Sequence, residues 1–123
     1  METGPVIVTF PAVPDYLRLA RIATADAASR AGLDVEEIDD ARIAVSELCS
    51  LVSVGGGATV TLAFRVSEGS LIVDGESPTG DAAISPNELS AAIVAAVTDE
   101  YTVATEAGIT RFHATKRARV QRR

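Results

Sequence analysis

The sequence holds one cysteine, one histidine, one lysine and no tryptophan. A lone Cys49 cannot close an internal disulfide, and with His113 as the only histidine no Cys/His zinc site can be assembled. A reducing cytoplasm is the expected location. No stretch of 18 apolar residues is present to span a membrane, and Met1 to Phe10 lacks the basic start and long apolar run of a signal peptide. No membrane contact is expected.

Within 123 residues, 47% are hydrophobic and 23% charged, far from the composition of disordered chains and enough for one compact domain with one core. The net charge of −6 hides an asymmetry: Lys116, Arg117, Arg119, Arg122 and Arg123 make residues 116–123 a basic tail, while residues 1–115 carry 17 acidic against 6 basic side chains. The division is therefore a single domain, 1–115, and a basic C-terminal tail, 116–123, read as a solvated end. An acidic body repels phosphate backbones, which argues against direct nucleic-acid binding.

Alternating and β-branched segments predict strands at Pro5 to Phe10, Ala58 to Val66, Leu71 to Asp74, Tyr101 to Val103 and Ile109 to Lys116. Three helical patterns lie between them. The first follows Asp15, read as its cap, with Tyr16, Leu19, Ala20, Ala23 and Ala27 at helical spacing and Arg18 and Arg21 on the other side. The second starts at the capping box Asp34-Val-Glu-Glu37, carries the stripe Ile38, Ala41, Val45, Leu48, Cys49 and Val52, and stops at Gly55-Gly56-Gly57. The third starts at Ser85-Pro-Asn-Glu88 and carries Leu89, Ala92, Ile93, Ala96 and Val97, a face read as core. The order β-α-α-β-β-α-β-β, with mostly hairpin connections, predicts an α+β fold: a two-layer α/β sandwich whose mainly antiparallel sheet is covered by three helices on one face.

Pro11-Ala-Val-Pro14, Leu17 to Arg21, Ile38-Asp-Asp-Ala-Arg-Ile-Ala-Val-Ser-Glu47 and Asp74-Gly75 occur in an order and spacing that resembles the anti-sigma factor serine kinases, a bacterial branch of the GHKL (Bergerat-fold) ATPases. The most specific stretch, Ala41 to Glu47, looks like the start of the family's N box. That resemblance implies a GHKL-type sandwich and an activating glutamate at Glu47. The family's magnesium-binding asparagine falls at Leu51, an apolar side chain where a hard cation wants oxygen. The Asp-x-Gly-x-Gly box that reads adenine appears as Asp74-Gly-Glu-Ser-Pro78, with Glu76 and Pro78 at glycine positions. No Gly-x-Gly lid motif follows.

On these departures Glu47, Asp74 and Gly75 are read as vestigial, with no metal site and no cofactor. The chain is then expected not to be an enzyme but a nucleotide-independent anti-sigma factor or switch protein. Its implied partners are a sigma factor or a STAS-domain antagonist, with a homodimer as a further option, and Arg18 and Arg21 are the implied contacts. Two rivals stay open: an active protein-serine kinase using ATP and magnesium, and a pseudokinase partner of a true kinase. Plainer accounts stand beside each residue. Glu47 serves equally as a solvated or capping side chain, Asp74 as a turn residue at a strand end, His113 as a surface histidine and Cys49 as a small buried hydrophobe.

Overall fold

The computed structural model describes residues 4–54, 58–80 and 84–119. Five strands, β1 (Val6–Pro11), β2 (Thr59–Ser67), β3 (Ser70–Pro78), β4 (Glu100–Glu106) and β5 (Ile109–Arg117), form one antiparallel sheet in the order β1-β2-β3-β5-β4. Three α-helices, α1 (Leu17–Arg30), α2 (Val35–Val54) and α3 (Glu88–Val97), complete a two-layer α+β sandwich. The element order and fold class agree with the sequence reading.

Side-chain alternation explains the layering, because successive strand residues point to opposite faces. Val60, Leu62 and Phe64 on β2, Leu71 and Val73 on β3, and Phe112 and Ala114 on β5 are buried toward the helices, where they meet Ala41, Ala44, Val45, Leu48, Cys49 and Val52 of α2. The intervening residues face solvent. Since β3 and β5 are adjacent but not consecutive, the chain leaves β3, crosses through α3, lays down β4 at the edge and turns back at Ala107-Gly108. Both turn residues take positive φ, 53° and 77°, as a tight hairpin of matching twist requires.

The start of α2 follows its sequence signal: Asp34 Oδ1 accepts from the Glu37 amide at 2.8 Å, and Glu37 Oε1 accepts from the Asp34 amide at 2.8 Å. The other two caps differ. Pro14–Tyr16 forms a 3-10 turn and Asp15 caps nothing through its side chain. At α3 the cap is Asn87, which accepts from the Ser90 amide at 2.8 Å, two residues beyond Ser85. The Gly55–Gly57 stop signal lies outside the described residues.

On α1 the buried stripe is Ala20, Thr24, Ala27 and Ala28, while Tyr16 and Leu19 are exposed. Small side chains let α1 approach α2 closely, which turns the larger residues outward. The third helix departs further from expectation. Only Val94 is buried on α3, and Leu89, Ala92 and Ala96, read as core, are exposed.

β3 runs four residues past Asp74, because Gly75 to Pro78 pair with Phe112 to Ile109 of β5. The turn-rich composition of that stretch is overridden by ladder bonds on a neighbouring strand. β5 itself extends to Arg117, two residues into the stretch read as tail. Ion pairs hold this end: Lys116 Nζ lies 3.0 Å from Asp40 and Arg117 Nη2 3.9 Å from Glu100. Arg119 then reaches α2, its amide donating to Glu37 Oε2 at 2.7 Å and its Nη2 to Glu36 at 3.0 Å. Those contacts, the Glu36 bond foremost, hold the Arg119 guanidinium above its ordinary pKa.

Candidate functional site

Glu47 sits on the α2 turn that follows the buried Ala44 and Val45, and projects away from the sheet. It lines a groove of about 480 Å³ between the three helices, with Arg21, Arg42, Ile43, Ser46 and Ile93. Arg21 Nη1 donates to Ser46 Oγ at 3.1 Å. Arg42 Nη1 donates to Asp39 Oδ1 at 3.2 Å, and its buried Nε has no partner among the described residues. Leu51, one turn after Glu47, is partly buried.

Asp74 lies elsewhere. Located mid-strand and out of phase with buried Val73 and Gly75, it faces the open side of the sheet, away from α2. Its carboxylate joins Arg65 Nη1 at 3.1 Å and His113 Nδ1 at 2.7 Å. His113 Nε2 is 3.2 Å from Thr115 Oγ1 and 3.8 Å from Glu100. Two sequence expectations are thereby corrected: Asp74 is a ladder residue rather than a strand-end turn residue, and His113 is partly buried and partnered. Gly75 points the other way, and a Cβ there would come within 2.2 Å of the Phe112 ring. The glycine serves an aromatic packing over the sheet. Glu47 thus lines the groove among the helices, while Asp74 and Gly75 line the open face of the sheet.

Continuing the inward phase of β3 past Gly75 leads to residues that the sequence reading missed. Ser77 Oγ donates to the Thr59 carbonyl at 2.6 Å, while Thr79 and Thr110 share a hydroxyl bond and Thr105 lies 2.8 Å from Thr110. Ile84 N also donates to Thr105 Oγ1 at 3.0 Å. The period-two recurrence from Val73 to Thr79 was the signal available. These hydroxyls bond one another and nearby backbone, so they stabilise the end of the sheet where α3 begins.

Charge pairing separates two residues from the rest. Among the described residues, Arg30, Arg42, Arg65, Arg111, Lys116, Arg117 and Arg119 each stand within 4.0 Å of a carboxylate, and Arg18 and Arg21 do not. Both lie on α1, three positions apart, Arg18 exposed and Arg21 half-buried at the groove. In a body with a large acidic excess, these are the two arginines without a carboxylate partner among the described residues. No cluster of three His, Cys, Asp or Glu that could hold a metal is found among the described residues. None of their helices is long and apolar enough to cross a membrane. Cys49 is fully buried on α2, and burial pushes its thiol up to about 12.

No protein-family model matches the chain. Over 50 residues it is 48% identical to the serine-protein kinase RsbW of Bacillus pumilus (strain SAFR-032), a match covering 40% of this chain and 31% of that protein. Its fold is similar to a solved Mycobacterium tuberculosis structure of RsbU and RsbW domains, with a TM-score of 0.71 and 22% identity, over 94% of this chain and 32% of that one. In both comparisons the chain spans about a third of the protein it resembles.

The two-layer α+β architecture is thus shared with a structure of RsbU and RsbW domains. The sequence likeness, over 40% of the chain, is to a serine-protein kinase. One expectation is overturned: the chain was read as no enzyme, and the relative it matches in sequence is a serine-protein kinase. That expectation rests on Leu51, on Glu76 and Pro78 at the glycine positions and on the missing lid motif, and magnesium chemistry bears on Leu51. Magnesium keeps several waters and few protein ligands, so one missing side-chain oxygen does not abolish a site.

Proposed function

We propose that this protein is a partner-binding regulator of the anti-sigma factor serine kinase type, which engages a sigma factor or its STAS-domain antagonist through Arg18 and Arg21 of α1. The observation that carries the reading is the pairing pattern. Every other described arginine or lysine has a carboxylate within reach; Arg21 lines the groove and Arg18 stands exposed three positions before it on α1. An arginine fork gives charge-assisted, bidentate bonds to a carboxylate, so the matching surface on the partner is acidic. Arg21 is further held in place by its bond to Ser46.

The serine kinase activity named for the relative comes with this reading. ATP with magnesium would supply the phosphoryl group. On the chain's side, Glu47 is the groove carboxylate without an arginine partner, since Arg42 holds Asp39. It is therefore the candidate to orient a serine hydroxyl and accept its proton.

The test begins with capture of the partner from the source cell on immobilised protein, identified by mass spectrometry. Titration calorimetry with Arg18→Ala and Arg21→Ala follows, then incubation with labelled ATP and magnesium. The reading expects weakened binding in both variants and label on a partner serine that Glu47→Gln abolishes. Full affinity in the double arginine variant would overturn the binding half. Unlabelled partner in the presence of bound wild type would overturn the kinase half.

A further inference from the structure

The third helix, Glu-Leu-Ser-Ala-Ala-Ile-Val-Ala-Ala-Val, is apolar nearly all round, and a helix of that kind normally sits inside a core. Here it does not. Leu89 is 71% exposed, and Ala92 and Ala96 follow it at three- and four-residue spacing on the same side, also exposed. One strip of its surface continues into the groove, where Ile93 of α3 and Ile43 of α2, itself 44% exposed, form the apolar lining. On the α1 wall stand the unpaired Arg21 and, one turn earlier, Arg18.

We infer that Leu89, Ala92, Ile93 and Ala96, with Ile43, form the apolar seat for one amphipathic helix of the protein partner, whose acidic edge lies along Arg18 and Arg21. The inference rests on the partner-binding reading above and adds the form of the segment recognised. Charge complementarity selects the occupant: guanidiniums without a carboxylate partner among the described residues flank the α1 side of an apolar strip, Asp39 and Glu47 standing on the α2 side, so a helix with an i, i+3, i+4, i+7 apolar stripe bordered on one edge by Asp or Glu satisfies both. An extended strand has nothing to pair with here, because the surface is built from helices whose backbone groups are internally bonded. Alanines at 92 and 96 lower the surface and let a second helix axis come within the usual 8–10 Å.

The probe is a phage-displayed library of helix-biased 16-residue peptides panned on the intact protein, with the selected peptides measured by fluorescence polarisation. Selected sequences are expected to show the apolar stripe with acidic residues along one border. Leu89→Glu should weaken them at least tenfold. The new carboxylate stands in the first turn of α3, where it complements the helix dipole, so the fold is kept and a thermal melt checks it. Arg21→Ala should weaken the same peptides about tenfold.

Selected peptides lacking acidic residues, or binding Leu89→Glu undiminished, would overturn the inference. So would sedimentation showing a dimer that Leu89→Glu converts to monomer, which would assign the face to a second copy, or loss of binding to anionic phosphatidylserine vesicles in that variant, which would assign it to lipid. The two readings fail separately. Normal peptide binding by Leu89→Glu with loss in the arginine variants removes only the apolar seat, and the reverse removes only the arginine contact.

Discussion

On the open face of the sheet Arg65 and Arg111 each hold a carboxylate of β3, and His113 closes a chain from Asp74 to Thr115. On the helical side Arg18 and Arg21 have no carboxylate within 4.0 Å among the described residues, Arg21 shares a groove with exposed Ile43, and Leu89 is exposed on α3. Both faces are solvated and both expose apolar side chains, Ile7 on the first and Leu89 on the second, yet only the second leaves arginines without a carboxylate among the described residues. Cross-strand pairing brings opposite charges to about 5 Å as a by-product of register. Helix spacing does the same for Arg30 with Asp26 and Arg42 with Asp39, whereas Arg18 and Arg21 have no carboxylate so placed among the described residues. Internal satisfaction marks a face that maintains the fold, and its lack marks a face available for binding.

Four measurements can break or sharpen this contrast. The largest effect is expected at Gly75→Ala, on the inward side of the same strand that carries Asp74. Its Cβ would meet the buried Phe112 ring, and overpacking of this kind costs about 1–3 kcal/mol. Urea unfolding measures the loss, and partner affinity of the folded protein should be unchanged. A stable Gly75→Ala variant with impaired binding would return this glycine to a ligand site.

Next is Arg21→Ala, expected to weaken the cognate partner at least tenfold, about 1.4 kcal/mol, with little change in the unfolding midpoint. Calorimetry paired with a thermal melt separates the outcomes. A large drop in melting temperature would show that the bond to Ser46 supports the helix pair instead.

Between the faces lies Cys49. Its folded pKa, raised to about 12 by burial, exceeds that of the unfolded thiol, so the stability it contributes is complete below about pH 8.5 and is lost as pH rises toward 12. By pH 10, about 1.5 pH units above the unfolded pKa, the cost is about 2 kcal/mol. Cys49→Ala should flatten that limb relative to wild type in melts at pH 7 and 10, and equal slopes would show that the thiol is not desolvated.

The smallest effect belongs to Asp74→Asn. Its partners Arg65 and His113 are partly solvated, so less than about 1 kcal/mol of stability should be lost, and partner affinity should not move. A tenfold loss of affinity would place the open sheet face in an interface and dissolve the contrast.

Much of the fold was legible because its signals are local. The reciprocal Asp34 and Glu37 bonds, the α2 stripe through Cys49 and the hairpin at Ala107-Gly108 each depend on residues within one or two turns of chain. The cap of α3 shifted from Ser85 to Asn87, since both residues suit that role and only the packed chain chooses between them.

By itself, then, the sequence determined the order of elements, the inward stripe of α2, the burial of Cys49 and the presence of two arginines on one side of α1. Tertiary structure decided the rest. Pairing with β5 drew Gly75 to Pro78 into β3, and because side chains alternate, that ladder set Asp74 on the open face and Ser77 on the inner one. Which cations find carboxylates depends on residues as much as 83 positions apart, as in the Arg119 contact to Glu36. The exposure of α3 was equally hidden, since an apolar helix reads as core from its sequence, and only the neighbours that pack on it, or fail to, determine how much water it meets.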